Sequence, residues 1–176
     1  MDMSLSLHKA SLVVVSSQNA AREEIAALSA ELALRGSVTV LDGGNCFPFY
    51  RFARLIRAKS FEGAAAVKRL FIRRAFTCYQ MLELLSSAPA LDEPYLVLDL
   101  LATFYDEQIP EWEIRRLLDA CLVQVSRLSM TGPVMISLSP PRLPERAFLV
   151  ERICQSADRT FMLDAPVPEF VQPALF

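Results

Sequence analysis

Glycine and histidine are scarce in this chain, and each shortage excludes a kind of site. Only five of the 176 residues are glycine and none precedes a lysine. The phosphate-binding loop GxxxxGK followed by Ser or Thr is therefore absent. His8 is the only histidine and lies close to the N-terminus, so no Ser-His-Asp or Cys-His nucleophile set is expected.

Paired cysteines and long apolar runs are also missing. Cys46, Cys78, Cys121 and Cys154 lie far apart with no CxxC pair, which predicts reduced, mostly buried thiols and no metal site. Charges interrupt every apolar run before it reaches the length of a bilayer span. The first ten residues lack the basic start and apolar core of a signal peptide. We expect a cytoplasmic protein with no membrane contact and no cofactor.

Apolar residues are abundant, at 53% of the chain, and the mean hydropathy of +0.30 is high for a soluble protein. The surplus apolar surface favours contact with a partner subunit or a second copy of the chain. The length suits one domain with a sizeable core. We predict an N-terminal extension over residues 1–10, one domain over residues 11–164 and a proline-rich tail over residues 165–176.

Short apolar segments alternate with helical patterns along the domain. This alternation predicts a three-layer α/β/α fold with a mainly parallel sheet. Lys68–Arg74 fits either a strand or the start of a helix. The predicted strands are Ser11–Ser16, Val38–Leu41, Tyr95–Asp99, Pro133–Leu138 and Thr160–Leu163, and the predicted helices are Ala20–Leu34, Pro48–Lys59, Thr77–Leu85, Pro110–Leu128 and Phe148–Cys154.

Two of these helices have a clear inward side. In Pro48–Lys59 the apolar side chains of Phe49, Phe52, Ala53 and Ile56 are predicted to face the core. The helix opened by Pro110 begins with acidic residues that suit its dipole. Its predicted buried stripe consists of Ile114, Leu117, Leu118, Cys121, Leu122, Val125 and Leu128.

The segment Tyr95–Asp99, YLVLD, combines a strand apolar on both faces with a terminal carboxylate. Ligands of open α/β sheets bind outside the carboxyl ends of the strands, which makes Asp99 a candidate ligand residue. Four apolar residues closed by Asp also form the Walker B pattern, whose aspartate holds magnesium in P-loop NTPases. The alternative is a strand-end carboxylate that caps a neighbouring loop.

The order and spacing of these segments, with VVVSS at Val13–Ser17 before a helix and YLVLD at Tyr95–Asp99, resemble the ATPase core of RecA-like recombinases and KaiC-like proteins. The resemblance covers residues 11–163. It implies a RecA-like P-loop NTPase fold. In that family the first strand leads into the Walker A loop, the second ends near a catalytic glutamate, and a later strand ends in the Walker B aspartate.

The chain departs from that family at its catalytic positions. The Walker A position, Ser16–Glu23, is SSQNAARE, without glycine or lysine, and LDGGN at Leu41–Asn45 lacks the glutamate. The resemblance therefore implies a degenerate pseudo-ATPase that acts as a structural partner in DNA repair or recombination. Residual nucleotide binding would fall on Ser16, Ser17, Asn19 and Asp99, although an ordinary helix N-cap explains the first three.

Basic residues are concentrated between positions 51 and 74. This stretch has eight cations and one acid, whereas the rest of the chain has ten cations and 19 acids. Interleaved aromatic residues favour nucleic acid, and the alternative is an acidic neighbouring subunit. The candidate residues for either partner are Arg51, Arg54, Arg57, Lys59, Lys68, Arg69, Arg73 and Arg74.

Three phenylalanines are candidates for a protein interface. Phe61 begins a Phe-x-x-Ala motif like the one with which recombinases grip one another, and Phe170 and Phe176 lie in the proline-rich tail. The sequence thus favours a non-catalytic RecA-like domain that works through protein contacts. The alternatives are a divergent nucleotide-binding ATPase and a nucleic-acid-binding module that uses the basic stretch.

Overall fold

A computed structural model of the protein describes residues 11–59, 63–106, 108–141 and 143–163. Within these ranges, short 3-10 turns lie at Leu100–Phe104 and Pro144–Arg146. The strands are β1 (Leu12–Ser16), β2 (Val38–Asp42), β3 (Leu70–Arg74), β4 (Tyr95–Leu98), β5 (Val134–Leu138) and β6 (Arg159–Met162), and the helices are α1 (Arg22–Arg35), α2 (Phe49–Lys59), α3 (Gly63–Val67), α4 (Cys78–Ser87), α5 (Glu111–Ser129) and α6 (Ala147–Cys154).

The six strands form one parallel sheet in the order β3-β2-β4-β5-β1-β6. The N-terminal strand lies between two late strands, with Val13 opposite Met135 of β5 and Arg159 of β6. The undecided segment Lys68–Arg74 contains β3, an edge strand paired with β2. The prediction of a mainly parallel α/β sheet is therefore confirmed.

Helices cover both faces of the sheet and create two apolar cores. On one face Val13, Val15 and Val40 pack with α1, α2 and α3. On the other face Val14 and Val97 pack with α4, α5 and α6. Because side chains alternate along a strand, every residue of β1 and β5 is buried. This three-layer arrangement explains why the central strands are continuously apolar.

The predicted buried stripe of α5 is confirmed, since all seven of its residues lie in the core. In α2 the prediction is wrong for Phe49, whose side chain is 46% exposed. Phe52, Ala53 and Ile56 are sufficient to fill the inward side of this helix. Phe49 is its first residue and packs at the rim, with its ring centroid 5.8 Å from that of Phe52.

Within the described ranges, no helix has both the length and the apolar character needed to cross a bilayer. Three predicted features lie outside those ranges: the N-terminal extension with His8, the interface residue Phe61, and the tail with Phe170 and Phe176.

Candidate functional site

Asp99 lies where the sequence places it, immediately after β4 at the carboxyl edge of the sheet, and only 5% of it is exposed. Its backbone is left-handed, with φ 49° and ψ 53°, a conformation that aspartate tolerates better than most residues. Its Oδ1 accepts hydrogen bonds from Ser139 N at 3.1 Å and Ser139 Oγ at 2.7 Å. One carboxylate oxygen therefore fixes the chain leaving β5, as the loop-capping alternative predicts.

The loop after β2 packs directly against Asp99. Asp42 is fully buried, and its carboxylate accepts from Cys46 N at 3.0 Å and Phe47 N at 3.0 Å. A Cβ on Gly44 would lie 2.9 Å from Asp99 Oδ2, a distance that real Cβ atoms do not reach. No glycine in the described part of the chain has positive φ, so close packing rather than turn geometry requires glycine here.

The Ser16–Asn19 turn lies at the end of β1, at the same edge of the sheet, and several of its backbone donors are already used. Ser17 N donates to Leu138 O and Ala20 N to Ser17 O, both at 3.0 Å. Asn19 Oδ1 accepts from Ser17 Oγ at 2.8 Å and Ala21 N at 3.2 Å. These bonds close a local turn, and the prediction that Asn19 is the N-cap of the helix is wrong, because the N-cap of α1 is Ala21 and no side chain caps it. Helix α1 begins two residues later than predicted because Ala20 and Ala21 are left-handed, with φ 54° and 52°.

A cavity of about 840 Å³ opens at the carboxyl edge, above Asp99 and Ser139. The starts of α1, α4 and α6 border it, because each follows a strand that ends at this edge. Arg22 and Arg146 supply its two guanidinium groups. Its apolar and aromatic lining consists of Phe76, Tyr79, Ala102, Tyr105, Ile109, Pro140 and Leu143.

Arg146 is the feature of this cavity that the sequence analysis missed. It is only 8% exposed, and its Nη2 donates to Asp106 O at 3.3 Å and Ile109 O at 3.2 Å. Its Nη1 is buried and has no hydrogen-bond partner among the residues that the structure describes. The sequence feature that could have identified Arg146 was its position after β5, at the edge where ligands of α/β sheets bind.

Two titratable side chains near Asp99 are held in their neutral forms. Tyr105 donates a hydrogen bond to Ser139 O at 2.7 Å, and burial, with Asp99 nearby, raises the pKa of Tyr105 well above its usual range. Burial and Asp42 raise the pKa of Cys46 to about 11, although Arg22 lowers it in part. Because the thiolate is the reactive form, Cys46 is not an activated nucleophile.

The cysteines and acidic residues do not form a metal site within the described ranges, where no group of three or more His, Cys, Asp and Glu side chains could hold an ion. All four cysteines are free. Cys78 and Cys121 are buried, whereas Cys46 and Cys154 are partly exposed.

Five of the eight candidate basic residues contact neighbouring elements. These contacts fasten α2 and β3 to the rest of the domain. The pairs are Arg51 with Glu23, Lys59 with Glu31 at 2.9 Å, Arg69 with the carbonyls of Ala33 and Leu34 at 3.4 and 3.3 Å, Arg73 with Ser87 at 3.0 Å, and Arg74 with Asp42 at 3.6 Å.

Arg54, Arg57 and Lys68 are exposed and make no ion pair or side-chain hydrogen bond within the described ranges. Arg57 and Lys68 lie at a shallow apolar groove of about 550 Å³ between α2 and α3. Phe49 also lines this groove. The basic stretch therefore separates into residues that hold the fold together and three cations available to a partner.

Neither a search against protein-family models nor a search of curated proteins finds a match for this chain. Its function must therefore be inferred from its own residues.

Proposed function

We propose that this chain is a non-catalytic RecA-like domain that works through protein contacts as a structural or accessory subunit of a DNA repair or recombination assembly. The observation that carries the proposal is the use of backbone donors in the Ser16–Asn19 turn. A Walker A loop directs such N–H groups at phosphate. Here Ser17, Asn19, Ala20 and Ala21 all donate to atoms of this turn or of β5, so these four N–H groups are not directed at a nucleotide.

Titration calorimetry with MgATP tests the nucleotide part of the proposal. The wild type should bind no tighter than about 1 mM, because a triphosphate would find too few donors to replace its water. Hydrolysis by the wild type that disappears in Asp99→Ala would contradict a non-catalytic role.

A restored loop tests the RecA-like part. Matching GxxxxGK and Ser or Thr to residues 16–23 requires Ser16→Gly, Ala21→Gly, Arg22→Lys and Glu23→Thr. Ala21 already has the left-handed backbone that glycine adopts most easily. The folded variant should gain at least about tenfold in MgATP affinity. A folded variant that gains none, and does not respond to Asp99→Ala, would contradict the resemblance.

The α2–α3 groove is the surface we assign to protein contacts. It combines an apolar floor with Arg54, Arg57 and Lys68 nearby, and most acidic residues of the chain lie outside the basic stretch. Charge complementarity would orient an acidic partner while apolar burial supplies affinity. Light scattering should show an oligomer or a co-purifying partner that Arg54→Glu with Arg57→Glu releases.

The matched control for that variant is Arg35→Glu with Arg159→Glu. Both residues are exposed, and the control changes the net charge equally, so it should leave the assembly intact. A wild-type chain that stays monomeric at high concentration, with nothing co-purifying, contradicts a role in protein assembly.

Nucleic-acid binding is a second candidate because Tyr50, 77% exposed, and Phe49 are on the same helix as Arg54 and Arg57. Aromatic rings stack on bases while cations pair with phosphates. Fluorescence anisotropy with a single-stranded oligonucleotide should then show affinity that falls steeply with salt. Retention of that affinity in Arg54→Glu with Arg57→Glu would remove this candidate.

A further inference from the structure

The guanidinium of Arg146 has a donor that no atom of the described residues satisfies. Residue 146 is more than nine-tenths buried, and two carbonyls occupy Nη2, while Nη1 is shielded from solvent and unpaired. A buried donor left without an acceptor destabilises the folded state, and native proteins rarely contain one. An anion that enters the adjoining cavity would supply the missing acceptor.

The cavity suits a small molecule in both size and electrostatics. Its volume of about 840 Å³ lies within the range of small-molecule sites. Helices α4 and α6 begin at its border, at Thr77 and Arg146, and helix N-termini favour anions. The positive ends of these two helix dipoles add to the positive charge of Arg146, which is the main anion-binding group of the site.

The charges of the lining restrict which anion fits. Arg22 and Arg146 are balanced by Asp99 and Asp106, so the lining residues that the structure describes have no net formal charge. A dianion such as a phosphate monoester would be repelled by both carboxylates more strongly than a carboxylate, which carries one charge and can accept a charge-assisted hydrogen bond from the unpaired Nη1 of Arg146.

The apolar part of the lining indicates the body of the ligand. Phe76, Tyr79, Tyr105 and Leu143 line the cavity, and aromatic rings pack well against such side chains. We propose that this cavity binds a small aromatic carboxylate whose carboxylate group accepts a hydrogen bond from Arg146. This site goes beyond the proposed function and does not depend on it, since neither MgATP nor a protein partner is involved.

Titration calorimetry of the full chain with 2-naphthoate tests the proposal, with 2-naphthamide as the neutral control. The wild type should bind 2-naphthoate saturably with a Kd of about 1 mM or lower and the amide at least about tenfold more weakly. No saturable binding of 2-naphthoate up to about 10 mM, or equal binding of acid and amide, would overturn the proposal.

Substitutions inside and outside the cavity test where 2-naphthoate binds. Arg146→Gln should weaken it at least about tenfold and Arg146→Lys by less, because lysine keeps the charge without the planar fork. Ala102→Phe fills the cavity without changing Arg146, so it should abolish binding of 2-naphthoate. This variant tests the site even if the Arg146 variants fail to fold. Arg57→Gln, on the α2–α3 groove, should have no effect. Binding that survives Ala102→Phe overturns the assignment.

Discussion

Removing the Asp42 carboxylate should be among the most damaging single changes in this domain. The carboxylate is completely buried and accepts hydrogen bonds from the N–H groups of Cys46 and Phe47. Asp42→Ala leaves the buried N–H of Phe47 and the partly buried N–H of Cys46 without an acceptor, at about 1–3 kcal/mol each. The free energy of unfolding should therefore fall by about 2–6 kcal/mol, a large part of the 5–15 kcal/mol typical of a domain.

The ion pair with Arg74 contributes little to that loss. Its atoms are 3.6 Å apart and the Arg74 side chain is 48% exposed, so Arg74→Ala should cost less than about 1 kcal/mol. Asp119→Ala is the matched control, because that carboxylate pairs with Arg152 at 2.9 Å while both side chains are more than half exposed. Asp42→Asn keeps one acceptor oxygen, so its loss in the free energy of unfolding should lie between the losses caused by Asp42→Ala and by the control.

Urea denaturation measures these differences, provided that the slope m is the same in all variants. By heating, each kcal/mol corresponds to about 2–4 °C in Tm for a chain of this length. If Asp42→Ala lowers the free energy of unfolding by no more than Asp119→Ala does, the two backbone donors do not depend on the carboxylate, and the reasoning fails.

Two further predictions concern the same loop. Gly44→Ala should destabilise the fold by about 1–3 kcal/mol in urea, because the new Cβ meets Asp99. Gly36→Ala, which has open space, should change stability by less than about 1 kcal/mol, and equal effects would contradict this account. With a pKa of about 11, the Cys46 thiol should react slowly with iodoacetamide at pH 8 and faster as the pH rises toward 11. Rapid labelling of folded protein at pH 8, located by mass spectrometry, would contradict the raised pKa.

Strong periodic patterns allowed most elements to be predicted from the sequence. The stripe of α5 was predicted in full because a long helix over a wide apolar core repeats its signal many times. Lys68–Arg74 stayed undecided because β3 is an edge strand, and an edge strand lacks the continuous apolar run of a central one. The start of α1 was missed because no local pattern reveals two left-handed alanines.

The sequence predicted only the part of the candidate site that lies at the end of a single strand. Asp99 was identified because an apolar strand directly precedes it. Its contact with Gly44, and the cavity beside Arg146, arise where chain segments from different strands meet. Such contacts depend on the order of strands in the sheet, which the sequence pattern alone did not supply.

The strand order of the sheet has a consequence for how the domain folds while the chain is being synthesised. Strand β1 emerges first, yet its neighbours are β5 and β6, with Leu12 opposite Val134 and Val14 opposite Thr160. Strand β2 can pair with β3 and β4 long before β5 has been synthesised, whereas β1 must wait for its partners. An apolar strand with both edges open is a template for aggregation. A ribosome-bound chain stopped before Val134 should therefore need a chaperone to keep Leu12–Ser16 from pairing with other chains.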